Sequence, residues 1–164
     1  MQKVSEILRL IALALLFGGS SAVVFVAITL VKWQTAAGIP VAEAAANNAP
    51  AFIEYAKVVT GAAIMLLAAE AIDFSAIKRG LKQKTKMTFA RYGVSAVCAI
   101  TAFVFSFAIM PPMKELQPLM KTDEAKAQEF RKLHEVSRAV FGATILFALI
   151  SLLMPACCNT PAKE

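Results

Sequence analysis

Polar and apolar positions alternate on a coarse scale in this chain: four long apolar runs are separated by short stretches that hold nearly all the charge. The first run, "LIALALLFGGSSAVVFVAITLV" from Leu10 to Val31, has 22 residues and no charge. A helix needs about 20 residues to cross a hydrocarbon core of roughly 30 Å. A signal peptide cleaved after "GSSA" competes with this reading, but the run continues nine residues beyond Ala22, further than a signal h-region extends. An uncleaved span is expected. The second run, "VVTGAAIMLLAA" from Val58 to Ala69, is charge-free over only 12 residues, with Glu54 and Lys57 at one border and Glu70 and Asp73 at the other. It crosses if the end charges reach toward the headgroups, and a re-entrant or interfacial helix is the alternative. The third runs from Tyr92 to Met110, where Pro111 and Pro112 are expected to stop it.

The fourth run, from Ala139 to about Cys158, continues a helix expected to begin near Thr122. Thr122 suits an N-cap, and Asp123 and Glu124 suit the positive end of the helix dipole. A helix from Asp123 to Met154 is about 48 Å long at 1.5 Å per residue, so roughly three turns should stand out of the bilayer. The pattern therefore predicts an all-α fold: a four-transmembrane-helix bundle with a protruding, charged extension of the fourth helix. One membrane domain covers residues 1–164, with spans at about 8–31, 55–74, 91–110 and 137–157.

Apolar residues make up 59% of the chain and charged residues 17%, which fits this reading. A net charge of +6 would suggest nucleic acid in a soluble domain. Here the basic residues flank spans, where they act as topology signals and contacts for anionic lipid, and no nucleic acid is expected. The loop Lys78–Arg91 holds six basic residues and no acid, which places it and both termini in the cytoplasm. The segment Pro111–Arg138, expected on the outer side, also carries six basic residues, against the same rule. The expected location is an integral, multi-pass position in a bacterial inner membrane.

Packing within lipid relies on close approach of helices, so small residues mark contact faces. Ala14, Gly18 and Ala22 in span one, and Cys98, Ala102 and Ser106 in span three, recur at four-residue spacing and are the expected mutual interface. Ser20 and Ser21 are expected to bond back to their own helix.

Chemistry is sparse. No phosphate-binding loop, dinucleotide fingerprint, zinc motif or nucleophile elbow occurs, and no catalytic residue is expected. The three cysteines have neither a disulfide framework nor metal-ligand spacing. No cofactor or metal is expected; haem or a pigment remains open only through His134 with a methionine or with a second His134. Ionisable residues near spans form an outer group (Lys32, Glu54, Lys57, His134, Glu135, Arg138) and an inner group (Arg9, Glu70, Asp73, Arg91). Both read first as interfacial residues with solvated heads. The sharper reading is a polar site of His134, Ser137, Arg138 and Glu54, with Arg138 drawn to Glu54 and His134 latching a loop carbonyl near Pro50 or Pro112.

The stretch "MPPMKELQPLMKTDEAKAQEFRKLHEVSRAVFGATILFALI" resembles the C-terminal half of a family of small four-helix membrane proteins of unknown function. That family includes the vertebrate transmembrane protein linked to cisplatin resistance. The pattern comprises Pro111 or Pro112, then Phe130, Leu133, His134 and Ser137, with "NNAPAF" at the entry to span two. The resemblance implies the architecture and a position for His134. Two functions follow as expectations. One is a non-enzymatic accessory or assembly subunit of a larger membrane complex, or a homo-oligomer, whose partners are lipid and other membrane subunits or itself. The other is a small transporter or export-associated protein with an outer-side His134/Arg138 site.

Overall fold

The computed structural model describes residues 2–158 apart from 82, 84 and 121, with side chains described from residue 3 to residue 155. Every regular element among them is helical: α1 (Gln2–Leu13), α2 (Ser20–Ala36), α3 (Val41–Asn47), α4 (Ala49–Lys78), α5 (Lys86–Phe103), α6 (Met110–Leu119) and α7 (Glu124–Cys158). Two π-helical turns, Ala14–Gly19 and Val104–Ile109, join α1 to α2 and α5 to α6 without breaking the rod. Four helical rods result, Lys3–Ala36, Val41–Lys78, Lys86–Leu119 and Glu124–Pro155, each long and apolar enough to cross a membrane. The expected all-α four-helix bundle is the observed fold, and the four expected spans lie inside longer helices. Charge ended the apolar runs, but lysine, glutamate and arginine are good helix formers, so the backbone continues past them.

Span two is a continuous 30-residue helix, about 45 Å long and not re-entrant. Pro50 sits in its first turn, where the missing N–H costs nothing. Pro111 and Pro112 do not stop span three. They occupy the first turn of α6, just after the π turn, so the widened turn supplies the break in register that two prolines need. The expected loop from Pro111 is consequently a helical hairpin. α6 runs back along the first turns of α7 and buries Met113, Leu116 and Phe130. The charged extension of the fourth helix thus protrudes with a partner. Its N-cap is Asp123, whose Oδ1 accepts from the N–H groups of Ala125 (2.8 Å) and Lys126 (3.2 Å). Thr122 instead closes α6, donating to Leu119 O at 3.2 Å.

Span one packs on spans two and four, and span three packs on the same two, so spans one and three sit diagonally. The expected interface between one and three is therefore not formed. Ala14, Gly18 and Ala22 are exposed, and the space around Gly18 is open. The buried face of span one carries Ala12, Leu13, Leu16 and Ser20 instead. The π turn explains the shift, because its wider pitch rotates the faces on either side of it relative to a regular helix. Close approach occurs at Gly19, where a Cβ would meet the Tyr55 hydroxyl. That hydroxyl donates to Leu15 O at 2.7 Å within the π turn. Ser20 does not bond back to its helix; its hydroxyl is buried without a partner.

The span-three stripe is buried, against spans two and four. Cys98 Sγ lies 3.5 Å from Thr144 O, and Ser106 Oγ donates to Ala56 O at 3.1 Å. Between them Phe105 stacks on Phe141 with ring centroids 4.4 Å apart, and Phe52 meets Phe141 edge-on at 5.9 Å. These rings fill the far half of the core, while Phe107 points outward.

Candidate functional site

The clearest polar site lies at the end of the bundle that carries the Lys78–Arg91 loop. Glu70 and Asp73 are three residues apart on α4, which puts both carboxylates on one helix face. Arg91, in the second turn of α5, faces them. Its Nη2 donates to Glu70 Oε2 at 2.8 Å and to Asp73 Oδ2 at 2.5 Å. Glu70 is 7% exposed and Asp73 3%, so this is a charge cluster removed from water and not a surface pair. Tyr92 adds a hydrogen bond from its hydroxyl to Asp73 Oδ2 at 3.1 Å, and Ser95 donates to Glu70 Oε1 at 2.9 Å. Ser95 also meets Ser151 of α7 hydroxyl to hydroxyl at 3.0 Å. Arg9 of α1 completes the group: it lines the same small gap as Ser5, Glu70, Asp73 and Arg91, and its Nη1 is buried without a hydrogen-bond partner. All four spans contribute to the cluster.

Small side chains make the approach possible. Ala69 and Ser95 are fully buried beside the acids, and a larger residue at either place would separate the helices. Two carboxylates against two guanidinium groups, Arg9 and Arg91, leave the cluster without net charge, the condition under which ions survive burial. The inner group therefore departs from its expected solvated state, and the neighbouring helices supply what water would have supplied.

A seam of hydroxyls continues from this cluster between α5 and α7. One and two turns beyond Ser95 and Ser151 lie Cys98 and then Thr101, whose Oγ1 accepts from Thr144 Oγ1 at 3.0 Å. Thr101 donates to the Cys98 carbonyl of its own helix, and Thr144 Oγ1 lies 3.1 Å from Val140 O. The stacked Phe105 and Phe141 close the seam beyond this point.

At the opposite end the outer group stays in solvent. Glu54 and Lys57 are exposed and pair with each other one turn apart on α4. Arg138 is exposed and has no ion pair among the described residues, so the expected Arg138–Glu54 contact is absent. The nearby Lys57 satisfies Glu54 without bringing a second helix across. His134 is half-buried with its ring parallel to that of Phe130, centroids 6.3 Å apart. Its backbone carbonyl accepts from Ser137 Oγ at 2.7 Å. Among the described residues its ring makes no hydrogen bond to a loop carbonyl, and Pro112 instead lines a shallow groove with the neighbouring Leu133 and Val136. His134, Ser137 and Arg138 thus share a helix face, and Glu54 is not part of their group. Among the described residues no three His, Cys, Asp or Glu side chains converge as a metal set would. The side chains of Cys157 and Cys158 lie outside the described residues.

Sequence reasoning named Arg9, Glu70, Asp73 and Arg91 as a group but missed Tyr92, Ser95 and Ser151. The i, i+3 spacing of two acids in a span end, with serines at matching depth on two other spans, was the available signal.

The fold and this distribution of charge define a multi-pass helical membrane protein. Residues 11–122 match DUF4149, a domain of unknown function, and the chain belongs to that family. The match takes in the first three spans and ends before Phe130, Leu133, His134 and Ser137. No curated protein and no solved structure matches the chain.

Proposed function

We propose that the chain is a non-enzymatic membrane module that works by association, as an accessory or assembly subunit of a larger membrane complex or as a homo-oligomer. The observation that carries this reading is the stripe Ala14, Gly18 and Ala22, which the bundle leaves outward with open space at Gly18. Small residues at four-residue spacing on a membrane helix let a second backbone approach closely. Among the described residues nothing packs on that face at Gly18. The interior supports the same reading: Glu70 and Asp73 are spent on Arg91, and aromatic rings close the hydroxyl seam.

The alternative, a small transporter or export-associated protein, draws on the resemblance of Met110–Ala148 to the family with the cisplatin-linked vertebrate protein. Its outer-side site loses Glu54 to Lys57, which weakens its support.

Particle mass in mild detergent tests the proposal. With bound detergent subtracted, the protein mass per particle of wild type should exceed that of one 17.6 kDa chain. Gly18→Leu should shift it toward the single chain while the melting temperature of the monomer is unchanged. A wild type that is monomeric and co-purifies with nothing overturns the reading, as does a Gly18→Leu variant that assembles normally.

A further inference from the structure

The tip between α4 and α5 presents cations outward in a way the buried cluster makes possible. α4 ends in a left-handed turn: Gly80 has φ +71°, and Leu81 N–H reaches back to Ala76 O at 3.0 Å. That reversal leaves Lys78, Arg79 and, across the loop, Lys86 exposed. Lys86 opens α5, whose first turn holds no acid, so the positive end of that helix adds to the field. The nearest acids in sequence are Glu70 and Asp73, and both are buried against Arg91. Their charge is spent inside the bundle and does not cancel the cations at the tip.

Apolar side chains surround these cations. Leu81 is 67% exposed, and Met87, Phe89 and Phe74 are exposed on the flanking turns. Lys78 Nζ lies over the Phe74 ring, 5.0 Å from its centroid. Cations mixed with outward apolar groups at the ends of membrane-crossing helices meet a phosphate and a hydrocarbon chain together. That combination belongs to a lipid. A soluble phosphate or a nucleic acid brings no hydrocarbon chain to meet these apolar groups.

We infer that Lys78, Arg79 and Lys86 form a docking surface for anionic phospholipid headgroups, with Leu81, Phe74, Met87 and Phe89 seated at the level of the upper acyl chains. A test uses purified protein in phosphatidylcholine nanodiscs into which phosphatidylglycerol is titrated, reading the thermal unfolding midpoint. Phosphatidylglycerol should raise the wild-type midpoint, and added salt should diminish the rise. In the triple variant Lys78→Gln/Arg79→Gln/Lys86→Gln the apparent association constant should fall roughly fivefold per removed charge. Lys57→Gln/Lys114→Gln, at the opposite end, should keep the wild-type response. A salt-insensitive or absent wild-type response overturns the inference without any variant. So does a triple variant that responds like wild type, or an opposite-end variant that loses as much. Equal stabilisation by inorganic phosphate, or displacement of the lipid by a short single-stranded RNA, would reassign the surface.

Discussion

The two ends of the bundle start from similar ingredients and resolve them differently. At each end of span two an apolar run stops at a pair of ionisable residues three apart, Glu54 and Lys57 at one border and Glu70 and Asp73 at the other. Glu54 and Lys57 carry opposite charge, so they neutralise each other along the helix and remain in water. Glu70 and Asp73 carry like charge, so neither can satisfy the other. They take Arg91 from the next helix, and that demand pulls three serine and tyrosine hydroxyls into the core. The sign of one residue in a pair separates a local surface contact from an inter-helical lock. An exposed pair of the first kind is screened by solvent and contributes little. The second kind sets which faces of spans two, three and four meet.

The largest effect should come from removing the shared cation. Arg91→Met leaves two buried carboxylates with Arg9 as their one remaining counter-charge and without the hydrogen bonds from Arg91, and stability in detergent should fall by about 3–5 kcal/mol. Lys57→Gln at the other end should change stability by less than about 0.5 kcal/mol. Equal effects of the two would erase the contrast between the ends.

The next effect concerns two adjacent glycines. Gly19→Leu drives a side chain into Tyr55 and should cost about 1–3 kcal/mol. Gly18→Leu points into open surroundings and should leave monomer stability within about 0.5 kcal/mol. Melting curves of the two variants side by side decide this. A costly Gly18→Leu in the monomer would restore the face expected from regular helical spacing.

A smaller effect sharpens the description of the far end, where local interactions dominate. Asp123→Ala removes the cap of α7 and should cost about 1 kcal/mol. Hydrogen exchange should show the loss confined to the first turns of α7. Thr122→Ala should cost less, since Thr122 closes α6 and does not cap α7.

How legible this was in the sequence depends on which physical rule was at work. Hydropathy runs reveal spans because the bilayer imposes a length, and the four runs each lie within one helix. The helix ends were less legible: Pro111 and Pro112 look like a stop unless the π turn before them is known, and no residue type announces a π turn. The same device in span one rotated Ala14, Gly18 and Ala22 outward, so regular four-residue spacing pointed at the wrong face. Cys98, Ala102 and Ser106 form a packing face by their spacing and are buried, but their partners are spans two and four. In the buried cluster, Arg9, Glu70, Asp73 and Arg91 were visible as charges at one level. Their removal from water was not, because it depends on Ala69, Ser95 and Ser151, which are ordinary small residues until the helices are placed.

Arg9, Arg91, Glu70 and Asp73 act as one neutral unit that joins spans one and three to span two. The most direct measurement compares unfolding of wild type, Arg91→Met, and the quadruple variant Arg9→Met/Arg91→Met/Glu70→Gln/Asp73→Asn in the same detergent. Arg91→Met alone should be strongly destabilised, and the quadruple variant, with all four buried charges removed, should recover most of the loss. A quadruple variant as unstable as Arg91→Met, or an Arg91→Met as stable as wild type, would contradict this.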